Sequence, residues 1–91
     1  MAYTVLVSRT FQHHFNQLPK KNQNQIRNTL HELQIDPYTH RPKCDIKELK
    51  STKPKKHRLR IGDYRVIYCI ENKTVKIIDL IKREVGYNKI D

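Results

Sequence analysis

Apolar and polar positions alternate at the start of the chain, recur at helical spacing through its first third, and alternate again through its second half. Tyr3–Val7 is rich in β-branched and aromatic residues and predicts a first strand. Ser8 follows as a helix N-cap, and Phe11, Phe15 and Leu18 then fall on one stripe of a helix from Arg9 to about Gln17. Leu18-Pro19 closes that helix. Ile26, Leu30 and Leu33 give the apolar face of a second helix, about Lys21 to Gln34, which Asp36-Pro37 ends. The short connection makes the two an antiparallel hairpin. The stretch from Pro37 to Pro54 is the least regular, with Ile46 and Leu49 as its apolar anchors. Strands follow at about Lys56–Ile61, Tyr64–Glu71 and Thr74–Ile81. Gly62-Asp63 suits a type II′ hairpin turn, and Asn72-Lys73 is a weaker turn signal. Lys82–Asp91 reads as irregular or a short helix.

The order is therefore β-α-α-β-β-β, an α+β fold. An N-terminal strand and helical hairpin pack on one face of a mostly antiparallel, twisted four-stranded sheet. Parity puts Leu59, Ile61, Tyr64, Val66, Tyr68 and Ile70 on the face under the helices. Lys56, Arg58 and Arg60 fall on the other face, expected to be open. A two-residue turn sets Arg60 opposite Arg65 there. One residue resists this pattern. A simple turn at Asn72-Lys73 places Asp79 on the buried face, so it needs either a partner or a bulge that shifts the register.

Charge sharpens the picture. The 91 residues suit one domain spanning 1–91, and the net charge is +10, from 19 Lys and Arg against 9 Asp and Glu. Ten of those 19 cations lie between Arg41 and Arg65, opposed only by Asp45, Glu48 and Asp63. Like charges facing each other on paired strands are destabilising, so a chain that keeps them is built to meet an anion. A focused basic surface of this kind fits nucleic acid or an acidic partner. Cys44 and Cys69 make no disulfide framework, and the five histidines lack the spacing of a zinc site. No secretory segment opens the chain and no stretch suits a membrane span, so the expected location is cytoplasmic, with no cofactor and no membrane partner.

The stretch KHRLRIGDYRVIY, Lys56 to Tyr68, followed by Arg83 and Tyr87, resembles the RelE/ParE superfamily of toxin–antitoxin toxins. LPKKNQNQIRNTLHELQIDP, Leu18 to Pro37, is similar to the same family's helical hairpin. The resemblance to the RelE branch implies a ribosome-dependent endoribonuclease that cuts mRNA in the decoding site and inhibits translation. It also implies a cognate RelB-like antitoxin that binds and silences the toxin as a hetero-oligomer. On this likeness Lys56, Arg58, Arg65, Arg83 and Tyr87 stand at catalytic positions. Arg60, Lys55 and Lys53 are the expected RNA contacts. Position 58 is Arg where the best-studied members carry Lys, and the Arg83-to-Tyr87 spacing is shorter than in some members.

The same residues support RNA cleavage without a metal. The 2′-hydroxyl attacks the adjacent phosphate, which requires a proton acceptor, stabilisation of the phosphorane and a donor for the leaving 5′-oxygen. Arg65 and Arg58 suit the phosphorane, since guanidinium forks match phosphate and stay charged. Arg60 suits a neighbouring phosphate. Lys56, crowded by cations, and Tyr87 are candidate bases, and Arg83 is placed near the leaving oxygen. Two other functions compete: a ParE-like toxin that inhibits DNA gyrase by binding, and a plain RNA-binding domain.

Overall fold

A computed structural model describes residues 2–50 and 55–82. Strand β1 (Thr4–Val7) leads into helices α1 (Arg9–Asn16) and α2 (Lys20–Ile35). Strands β2 (Asp45–Leu49), β3 (Lys56–Ile61), β4 (Tyr64–Glu71) and β5 (Thr74–Lys82) follow. They form one sheet in the order β1-β5-β4-β3-β2. The β1–β5 pair is parallel and the others antiparallel.

The sheet thus has five strands where the sequence pattern gave four. The addition is β2, inside the stretch expected to be irregular. Its five residues lie antiparallel to β3, with Ile46 opposite Leu59 and buried. Edge strands this short carry too little alternation to be seen without their partner. A staple then holds the approach to β2. Arg41 donates to the carbonyls of Glu32, Asp36 and Thr39, and Arg41 and Cys44 exchange backbone hydrogen bonds. Arg41 therefore serves the loop and leaves the basic cluster.

Ser8 caps α1 as its sequence position suggests. Its Oγ accepts from the Phe11 N–H and donates to the carbonyl of Ile78, 2.6 Å away on β5. Gln23 on α2 ties the hairpin by donating to the carbonyls of Phe15 and Leu18 at the end of α1. Phe11, Ile26 and Leu33 from the helices meet Leu59, Ile61, Val66, Tyr68, Val75, Ile77 and Leu80 from the sheet in one core. The Tyr68 hydroxyl donates to the Pro37 carbonyl at 2.7 Å, and burial drives its pKa upward.

Asp79 resolves both ways. The β4–β5 register shifts between Ile67 and Tyr68: Tyr68 faces Ile77, Ile67 faces Asp79, and Ile78 is the extra residue. Beyond this bulge Leu80 returns to the core opposite Val66. The Asp79 carboxylate meets His14 Nδ1 on α1 at 3.0 Å. That nitrogen also lies 3.1 Å from the Leu80 carbonyl, so it carries the proton and donates to both acceptors.

Candidate nucleic-acid interface

The turn at Gly62-Asp63 sets the site. Gly62 has φ +57°, the left-handed region that the first position of a type II′ turn requires. Ile61 pairs with Tyr64 and Arg60 with Arg65, as the two-residue loop dictates. Register then builds three cross-strand rows on the face opposite the core: Asp45, Arg60 and Arg65; Lys47, Arg58 and Ile67; Leu49, Lys56 and Cys69. Five of these nine positions are cationic, and Arg60–Arg65 and Lys47–Arg58 oppose like charges directly.

The face is not as open as parity implied. Arg65 is fully buried and Arg58 is 5% exposed, whereas Lys56 and Arg60 are half-buried and Lys47 is exposed. Parity assigns a side chain to a face but says nothing of its depth. A cation on a strand flanked on both sides is covered more readily than one at an edge, and Arg65 is central. The Arg58 Nε is buried without a hydrogen-bond partner.

Asp45 is the acidic member of this grid, and sequence reasoning counted it only as a counter-charge. Its Oδ1 lies 3.4 Å from Arg58 Nη1 and 3.5 Å from His40 Nδ1, and its Oδ2 lies 4.0 Å from Arg60 Nη1. Lys47 also went unremarked. The signal for both was alternation in DIKEL, legible only once Ile46 is set against Leu59. Lys55 is not brought to the cluster: it pairs with Glu48 at 3.4 Å. Lys53, Arg83 and Tyr87 lie outside the described residues.

His57, the neighbour of Lys56 and Arg58, turns to the other face. Its ring stacks on Tyr68 at 5.3 Å and meets Tyr38 edge-on. Burial lowers its pKa. Among the described residues no three His, Cys, Asp or Glu side chains gather where they could hold a metal ion, and no helix is long and apolar enough to cross a membrane.

Comparison with known proteins places this geometry. The family model of the ParE toxin of type II toxin–antitoxin systems matches residues 4–87. The chain is 31% identical to the RelE–RelB complex structure from the archaeon Pyrococcus horikoshii OT3, covering 91% of this chain and 97% of that one with a TM-score of 0.79. A RelB–RelE complex from Methanococcus jannaschii shares the fold at 22% identity and TM-score 0.72, covering 94% of this chain and 99% of that one. The isolated Escherichia coli RelE toxin does so at 19% and 0.61, covering 89% and 84%. No curated protein matches. The chain belongs to the RelE/ParE superfamily: it is the toxin of a type II toxin–antitoxin system.

Proposed function

We propose that this toxin is a RelE-type, ribosome-dependent endoribonuclease that inhibits translation by cutting mRNA in the decoding site. The observation that carries this reading is the cationic grid on β2, β3 and β4, where Arg60 directly opposes Arg65, and Arg58 and Lys56 follow in the next two rows of the same face. Inhibiting gyrase by binding does not call for phosphate-binding groups on neighbouring strands.

In this reading the 2′-oxygen attacks phosphorus and the bond to the 5′-oxygen breaks. The products are a 2′,3′-cyclic phosphate and a free 5′-hydroxyl. Arg65 and Arg58 stabilise the phosphorane, and Arg60 holds an adjacent phosphate, with Lys55 and Lys53 as outer RNA contacts. Lys56 or Tyr87 takes the 2′-proton, and Arg83 lies by the leaving oxygen. Each stabilising donor contributes about 10²–10³ in rate. The half-buried Lys56 and Arg60 meet RNA first. Arg58 and Arg65 lie deeper on the same face. Alignment of the 2′-hydroxyl demands a template, a requirement that points to the ribosome and to feeble cleavage of naked RNA.

The structure from P. horikoshii is a RelE–RelB complex. We assign this toxin a RelB-like antitoxin in a cytoplasmic hetero-oligomer, whose acidic or amphipathic segment covers the basic face. A second reading, gyrase inhibition, draws on the family model, which is that of ParE.

A translation reaction with a defined message separates them. Ribonuclease action gives ribosome-dependent cuts by primer extension, lost when a 2′-deoxynucleotide replaces the scissile position. Intact message together with blocked DNA supercoiling establishes the gyrase reading instead.

A further inference from the structure

Asp45 makes an unusual set of contacts for a surface carboxylate. It stands in register opposite Arg60 and reaches Arg58 and Arg60 on β3 together with His40 from the loop before β2. All three contacts are long, at 3.4, 3.5 and 4.0 Å. A carboxylate committed to guanidinium groups sits at about 2.7–2.9 Å, often as a two-pronged pair. The Asp45 side chain is 41% exposed while that of Arg58 is 6% exposed. A solvated, loosely held anion thus lies against a buried cation whose Nε makes no hydrogen bond. The Asp45 backbone carbonyl also lies 3.4 Å from Arg58 Nη1, which keeps that guanidinium oriented if the carboxylate leaves.

We propose that the Asp45 carboxylate occupies a phosphate subsite at the β2 edge. A backbone phosphate of RNA displaces it and is then held by Arg58, Arg60 and His40. The identity of the ligand rests on the ribonuclease reading. A phosphodiester carries the same single charge and the same two free acceptor oxygens as the carboxylate, and it is not tethered to β2, so it can close on the three donors that Asp45 meets only at 3.4–4.0 Å. Asp45 keeps the like charges of β3 and β4 tolerable in the free toxin and weakens its grip on stray RNA.

The test is fluorescence anisotropy of a labelled single-stranded RNA oligonucleotide, titrated at several salt concentrations. The proteins are wild type, Asp45→Asn, Arg60→Ala and the double variant, with Asp45→Ala as a second neutral replacement and a thermal melt of each. Asp45→Asn is expected to bind about fivefold tighter, the scale of one exposed ion-pair partner. The gain disappears in the double variant. Arg60→Ala, which takes a cation from that phosphate, is expected to flatten the plot of log affinity against log salt by about 0.7, one phosphate fewer neutralised. A purely structural Asp45 lowers the melting temperature and leaves affinity at the wild-type value. That result overturns the subsite and leaves the ribonuclease reading intact if the wild type still cuts programmed message. A wild type that neither binds RNA nor cuts message overturns both.

Discussion

Ser8 shows how much one side chain can do in this fold. It caps α1 and, through the Ile78 carbonyl, fixes the bulge that returns Leu80 to the core. Cap loss alone costs about 1 kcal/mol, and the second hydrogen bond adds a similar amount. Ser8→Ala should therefore lower stability by about 1–2 kcal/mol in a urea titration. The cap was legible from its place before a helical stripe, but its bond to β5 was not, because no local pattern reports a contact across 70 residues. His57 gives a pH signature. Burial holds its folded pKa below the ordinary value of about 6.5, so the unfolded chain takes up a proton first as pH falls. Its contribution is complete above about pH 6.5 and is lost progressively from there down to its lowered folded pKa. His57→Phe keeps an aromatic ring on Tyr68 and should flatten that part of the stability–pH curve. An unchanged slope would show that His57 is not its source.

At the scale of elements, the turns decide register, and register decides which cations meet. The Gly62-Asp63 hairpin was readable because glycine supplies the positive φ. The second hairpin uses Asn72 and Lys73 at φ 48° and 66°, a type I′ pattern without glycine at its second position. Lysine in the left-handed region costs about 1–2 kcal/mol. Its ammonium lies 4.9 Å from the centre of the Tyr3 ring, an exposed contact of about 0.5–1 kcal/mol. The backbone term is the larger, so Lys73→Gly should raise stability by about 0.5 kcal/mol, seen as a higher denaturant midpoint. Strand β2 was hidden for the opposite reason: three prolines crowd 37–54, and its one buried apolar residue, Ile46, is too little pattern to declare a strand. With it Asp45 and Lys47 were missed as members of the site. Parity did place Lys56, Arg58, Arg60 and Arg65 together, but the burial of Arg58 and Arg65 was not legible, because parity assigns a face and not a depth.

For the whole molecule, the +10 charge matters less than its arrangement. Arg41 staples a loop and Lys55 faces Glu48, so neither contributes to the face that β2, β3 and β4 assemble. Removing charge from that face should therefore act differently from removing it elsewhere. The decisive measurement is primer extension on a message translated with wild type, with Lys56→Ala/Arg60→Ala, and with Lys20→Ala/Lys21→Ala, which lowers the charge equally on α2. The face pair should reduce ribosome-dependent cutting by about 100-fold or more, and the helix pair by no more than a few-fold. Equal losses from the two pairs would mean that net charge alone drives the activity, and would contradict a cleavage site built on this sheet face.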